Sequence, residues 1–275
     1  MKQILLATDF SKSAKRAIAY ALDCFKGIPV TYHLVYISEC KGNNTKNTMG
    51  TPCQGESCGL KQELLQQAAK AMNAQLDLKL QHCVAHYKNL SKVEALRKHT
   101  TEHHIDLIII GNKGQTNNPK VAIGTFARDI LMRVQCSFLM IPEGVENSQP
   151  KKGLFPTNYN NVYHNASLNT LSDFMATRLM ELDVLYFSKL GRALDKTQQE
   201  NKELLEGFLD SNHSPPIKTP HRKLENAIQH YLMKNRADVL ILMAKNRGFC
   251  ERLLQRNTPD QQEIMRNLPL LLLHE

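Results

Sequence analysis

The residues with the most chemical potential are three glycines, a threonine and one aspartate. Gly111-Asn112-Lys113-Gly114 follows an apolar run, and nine residues separate it from Gly124-Thr125. Glycines after a strand and at a helix start let backbone N–H groups approach an anion closely. Thr125 adds a hydroxyl, and the helix dipole favours negative charge there. These are the parts of a phosphate cradle, although the same spacing also serves a plain turn. Asp9 closes the first apolar run in Ala7-Thr8-Asp9-Phe10-Ser11. Its carboxylate can accept from an exocyclic amine or from ribose hydroxyls. It also suits a turn or N-cap acid.

Other constellations carry less. His99 and His103 stand at i, i+4 on an expected helix and could share a metal. No third ligand or acid is evident, so surface histidines are expected; His82 and His86 read as ordinary residues. Cys53-x4-Cys58, with Cys40 upstream, lacks the tight paired spacing of structural zinc and reads as loop thiols. No metal site is assigned and no catalytic residue is named. The glycine pattern has no P-loop lysine, and no nucleophile elbow or kinase set appears. Fast phosphoryl transfer is therefore not expected.

Positioning these residues takes strands and helices in alternation. Lys2–Thr8 is a buried strand, and Ser11 caps a helix whose Ala14, Ala17, Ile18, Ala21, Leu22 and Phe25 recur at helical spacing. Val30–Ile37 is a second strand, Leu60–Leu76 a helix and Leu78–Ala85 a third strand. Ser91 with Glu94 makes a capping box for a helix running to about His104. Asp106–Gly111 is a fourth strand, Thr125–Arg133 a helix and Ser137–Ile141 a fifth strand. This order implies parallel pairing with right-handed crossovers. In an open doubly wound sheet, ligands bind beyond the strands' carboxyl ends at the switch point. If strands one and four are neighbours there, Asp9 and the glycine loop face one crevice. Glu39–Gly59 is polar and aperiodic, and reads as a long surface loop.

The second half repeats the order: strands at Gly153–Thr157, Asp183–Ser188, Asp238–Ala244 and Leu270–Leu273, with helices at Ala166–Met180, Gln198–Asp210, His221–Asn235 and Pro259–Asn267. Placing Ala244 on Gly111 aligns the tails without a gap. The pattern is a tandem duplication of one α/β unit. The fold class expected is two tandem doubly wound, Rossmann-like parallel-sheet domains, paired by a pseudo-twofold, spanning 1–145 and 151–275.

Composition fits. The 275 residues suit two domains at roughly 100–200 residues each. Hydrophobic residues make up 42%, enough for a core. No apolar run reaches about 18 residues, so no membrane span is expected, and the start lacks a signal-peptide pattern. The net charge of +9 is spread along the chain rather than blocked, which argues against a nucleic-acid groove. Seven cysteines without framework spacing read as reduced thiols. A cytoplasmic protein is expected, with neither nucleic acid nor membrane as partner.

Ala-Thr-Asp-Phe-Ser after the first strand, with Gly-x2-Gly-x9-Gly-Thr after the fourth, resembles the ATP-binding branch of the universal stress protein family. The resemblance covers most of 1–142 and, more faintly, 153–275, as in the tandem members. It implies a sheet ordered 3-2-1-4-5, a bound adenine nucleotide, and domains paired through their last strands. It further implies that Asp9 bonds the adenine and that the backbone of Leu34 meets the adenine edge. Ala7, Thr8 and Ile110 would line base and ribose; Gly111, Gly114, Gly124, Thr125 and Phe126 would hold ribose and phosphates. The cofactor implied is ATP, ADP or AMP in the first domain, with magnesium allowed. Asn158 stands for Asp9 in the second half, and Ala244, Arg247 and Asn257 for the three glycines, so no ATP is expected there. The function expected is a nucleotide-binding stress or regulatory protein, with an unknown protein partner and a homodimer left open. The alternatives are a ligand-free scaffold and a slow, self-phosphorylating or ATP-hydrolysing enzyme.

Overall fold

The computed structural model describes residues 2–38, 56–114, 123–145, 148–160, 162–187, 193–209, 213–219, 223–244 and 267–274. Apolar runs become strands buried on both faces. β1 (Lys2–Thr8) and β2 (Val30–Ile37) are buried through nearly their whole length, as expected of parallel strands covered by helices on either side. α1 (Lys12–Cys24) lies between them and starts where Ser11 Oγ accepts from the Ala14 amide at 3.2 Å. α2 (Glu56–Asn73), β3 (Gln81–Lys88), α3 (Lys92–Glu102), β4 (Leu107–Gly111), α4 (Thr125–Arg133) and β5 (Ser137–Ile141) complete the first half.

The second half runs β6 (Lys152–Thr157), α5 (Asn165–Ala176), β7 (Glu181–Phe187), α6 (Lys196–Leu209), β8 (His213–Thr219), α7 (Leu224–Lys234), β9 (Val239–Met243) and β10 (Leu270–Leu273). All ten strands form one sheet ordered β3-β2-β1-β4-β5-β10-β9-β6-β7-β8. Each half is parallel within itself in the order 3-2-1-4-5, and the halves join where β5 meets β10 antiparallel. An antiparallel seam between two like halves is a pseudo-twofold. One core layer packs α1, α2, α5 and α6 on the sheet; the other packs α3, α4 and α7.

The differences from expectation are local. α2 starts at Glu56, inside the stretch read as loop, while residues 39–55 lie outside the described residues. β3 sits three residues later than expected, at 81–88. α5 stops at Ala176, four residues short of the expected end. β8 was not anticipated: His-Ser-Pro-Pro-Ile-Lys-Thr carries two prolines that cannot donate to a ladder. The edge position and the register shift opposite Asp183 and Leu185 accommodate them. Of the helix expected at 259–267, residues 259–266 lie outside the described residues.

Candidate functional site

The end of β1 is a tight turn built by its own side chains. Thr8 Oγ1 accepts from the Phe10 amide at 3.1 Å, and Asp9 Oδ1 accepts from the Ser11 amide at 3.0 Å. Phe10 takes the left-handed conformation at φ 62°, and its ring stacks on Tyr36 with centroids 5.3 Å apart. Asp9 is thus a turn acid. Its other oxygen faces the glycine loop: a Cβ on Gly114 would lie 3.1 Å from Oδ2.

The loop after β4 is held by Asn112, a buried residue that sequence reasoning passed over. Its Oδ1 accepts from Ser13 Oγ and from the Glu143 amide, each at 3.2 Å. Its backbone accepts from the Gly124 amide at 2.7 Å and donates to Ile141 at 3.0 Å. One asparagine therefore ties β4, the start of α4, the end of β5 and α1 together. Gly111 is a glycine because of α1: a Cβ there would meet Ser13 Oγ at 2.3 Å and the Ser13 backbone at 2.6 Å. At Gly124 a Cβ would make only ordinary contacts of 3.5–3.6 Å with the loop. Packing therefore does not require a glycine at that residue.

These elements enclose a cleft of about 420 Å³ at the carboxyl ends of β1, β2 and β4, the size of a small-molecule site. Ala7, Thr8, Asp9, Ile110, Gly111, Gly114, Gly124, Thr125 and Phe126 all line it. Leu34, expected there through its backbone, is not among the lining residues; its side chain is buried in the core, and Val35, Tyr36 and Ile37 form that wall. Lys61, Lys92 and Lys113 also line the cleft, with Asp9 the one acid among the described lining residues. Lys61 Nζ sits over the Tyr36 ring at 5.4 Å, and Lys92 Nζ over the Phe126 ring at 5.7 Å. Three ammonium groups and the N-terminus of α4 make the cleft attractive to anions. Lys61 and Lys92 lie far from the glycines in sequence, and only the tertiary fold reveals them.

The second half keeps the turn. Thr157 Oγ1 accepts from the Tyr159 amide at 2.9 Å, and Asn158 Oδ1 accepts from the Asn160 amide at 3.1 Å. Tyr159 is left-handed at φ 59° and stacks on Tyr186 at 5.2 Å. Gln198 of α6 donates to the Asn158 carbonyl and to Asn160 Oδ1, so a side chain bridges this turn. The strand register corrects the tail alignment by one residue. Leu107 pairs with Ile4 and Val239 with Gly153, which sets Met243, not Ala244, at the position of Gly111. Arg247 and Asn257, expected at the positions of Gly114 and Gly124, lie outside the described residues.

Two further expectations meet the structure. His99 is wholly buried rather than a surface residue. It meets His33, His86 and His103 in a cluster between α3 and the β2–β3 face. The sequence signal was the i, i+4 pair; strand pairing supplied the other members. Burial pushes His33 and His86 down to about 4 and His99 down to about 3, with neighbouring histidines adding to the effect. Cys24, Cys83 and Cys136 are free thiols that burial pushes up to about 12. Cys40 and Cys53 lie outside the described residues.

Comparison with known proteins agrees with this architecture. The universal stress protein family profile matches residues 1–142. A universal stress protein from Archaeoglobus fulgidus DSM 4304 superposes with a TM-score of 0.67 at 12% identity, covering 99% of this chain and 98% of that one. A universal stress protein from Pseudomonas aeruginosa UCBPP-PA14, described as putative, superposes at 0.54 and 13% identity, covering 99% and 93%. At these identities the likeness is one of fold. No match was found among curated protein sequences. No described helix is long and apolar enough to cross a membrane. With the profile spanning more than half of its length, the chain belongs to the universal stress protein family.

Proposed function

We propose that this chain is an adenine-nucleotide-binding regulatory protein of the stress-response type. In this reading residues 1–145 form a domain that holds ATP, ADP or AMP, and residues 151–275 form a degenerate domain that pairs with it. The observation that carries the reading is convergence: nine residues singled out by motif line one cleft beside three lysines. The fit to a nucleotide is chemical. Apolar Ala7, Val35 and Ile110 offer a surface for a base, and Asp9 an acceptor for an amine or hydroxyl. Gly124 leaves backbone open at a helix N-terminus, where phosphates are favoured. Magnesium would arrive with the phosphates, since the described lining offers only one carboxylate.

The test is to denature freshly purified protein and identify any released nucleotide per chain, followed by ATP titration with a thermal-shift readout. About one adenine nucleotide per chain, or a saturable shift weakened in Gly124→Ala, supports the reading. No nucleotide and no shift with ATP, ADP or AMP overturns it in favour of a ligand-free scaffold.

A further inference from the structure

The histidine cluster is built like a coordination sphere. His33 is on β2, His86 on β3, His99 on α3, and His103 at the end of α3. One ring nitrogen of each lies within 4.8 Å of those of the others. His33 Nδ1 is 3.2 Å from His86 Nε2 and 3.1 Å from His99 Nε2. Nitrogens bound tetrahedrally to zinc at 2.0–2.1 Å are about 3.3 Å apart, so these spacings are those of ligand edges. His33 Nε2 meets Gln3 Oε1 at 2.8 Å. A carboxamide oxygen only accepts, so this bond puts the proton on Nε2 and leaves the Nδ1 lone pair aimed into the cluster. That is how an outer partner orients a metal-binding imidazole.

The second half supplies an internal control. By strand register and helix position, Lys152, Asp183 and Tyr231 stand where Gln3, His33 and His99 stand in the first half. There the buried polar position is satisfied by complementary groups: Lys152 Nζ meets Asp183 at 2.9 Å, and the Tyr231 hydroxyl donates to the same carboxylate. In the first half a neutral carboxamide and two imidazoles take these places. Wholly buried His99 leaves its Nδ1 without a hydrogen-bond partner. The nearby charge, Lys88, is paired with Glu102 at 3.9 Å. Four imidazoles whose ring nitrogens converge on one point are placed to share an electrophile.

We propose that His33, His86, His99 and His103 bind one divalent transition-metal ion of borderline softness, zinc foremost, in a structural site that ties β2 and β3 to α3. Four protein nitrogens close the coordination sphere, which distinguishes a structural from a catalytic centre. Partly exposed His103 gives the entry path. His86 is the register partner of Val35, a wall residue of the cleft, so the ion holds the cleft from behind.

The test uses untagged full-length protein, stripped with chelator and titrated first with Co²⁺ and then with Zn²⁺. The expected result is one equivalent of Co²⁺ with the strong visible d–d absorption of a tetrahedral centre. Thiolate charge transfer is absent, which separates this site from any formed by the cysteines. Zn²⁺ displaces the cobalt and raises the thermal midpoint. Gln3→Ala, which leaves every ligand in place, weakens Zn²⁺ about 10–100-fold. His103→Gln, at a half-buried ligand, weakens it at least as much and loses the tetrahedral spectrum while the apoprotein still unfolds cooperatively. No uptake of Co²⁺ or Zn²⁺, a thiolate-type spectrum, or unchanged affinity in both variants overturns the proposal.

Discussion

Gly111 and Ser13 share space that cannot hold another atom: a Cβ on Gly111 would lie 2.3 Å from Ser13 Oγ and 2.6 Å from its backbone carbon and oxygen. The strand end and the first turn of α1 are therefore in direct contact. Gly111→Ala is expected to cost about 3 kcal/mol, because backbone rather than a flexible side chain must move. Gly124→Ala should stay close to wild type in stability. Urea unfolding of both variants without nucleotide checks the contrast. Loss of binding in a Gly111 variant reports on folding, whereas loss in Gly124→Ala reports on the site.

The turn role of Asp9 can be separated from the ligand role proposed for it. Asn158 holds the corresponding turn in the second half with a carboxamide. Asp9→Asn is thus expected to fold with little change while nucleotide affinity falls roughly tenfold or more, the scale of one hydrogen bond to a charged group. Asp9→Ala should lose both turn and affinity. Thermal unfolding and ATP titration, compared across the two variants, separate the contributions.

Asn112→Ala should destabilise by about 1–3 kcal/mol, since the buried Ser13 hydroxyl loses an acceptor. It should also weaken nucleotide binding without touching the ligand, because the loop between β4 and α4 loses its tie to α1. The pair of measurements is a denaturant midpoint and an ATP titration. Unchanged affinity would mean that the loop's geometry does not depend on this residue.

Acid stability should depend on the linker between the halves. The Ser148 hydroxyl donates to Asp23 and is the main cause that holds its carboxyl below the usual range, with Gln149 donating at 3.1 Å. A lowered folded-state value means the contribution is present above the unfolded pKa. It is lost as pH falls through the folded one. Ser148→Ala should therefore lower stability at neutral pH, where the contribution is fully present, and move the acid-unfolding midpoint to higher pH, the gap to wild type closing in acid. Circular dichroism from neutral to acid reads it; a downward shift would contradict the assignment.

The buried thiols make a chemical map. Cys24, Cys83 and Cys136, pushed up to about 12, should resist a thiol reagent at mildly alkaline pH until the chain unfolds. Mass spectrometry of peptides labelled before and after denaturation checks each position.

Much of the architecture was legible in order and spacing. Val30–Ile37, Thr125–Arg133, Ser137–Ile141 and Leu270–Leu273 carry the bounds expected of them, because continuous apolar runs and caps are local signals. The motif around Asp9 and the three glycines was legible for the same reason, since a turn and a helix start use short-range geometry. β8 was hidden because its prolines are acceptable only at a sheet edge, and edge status is not a local property. The offset between the halves was misjudged by one residue because apolar strands look alike in any register, and only the pairings with β1 and β6 fix it. The structure alone added Lys61 and Lys92 to the cleft. It also put Val35, Tyr36 and Ile37, rather than Leu34, at the cleft wall, because the cleft lies beyond the end of β2. It gave Gly111 a packing reason, and it gathered His33, His86, His99 and His103 from two strands and a helix. Sequence by itself determined the elements and the motif of Asp9 and the glycines, which short-range forces encode. Tertiary structure decided what surrounds that motif and what lies behind it, because side chains far apart along the chain meet only when the sheet is assembled.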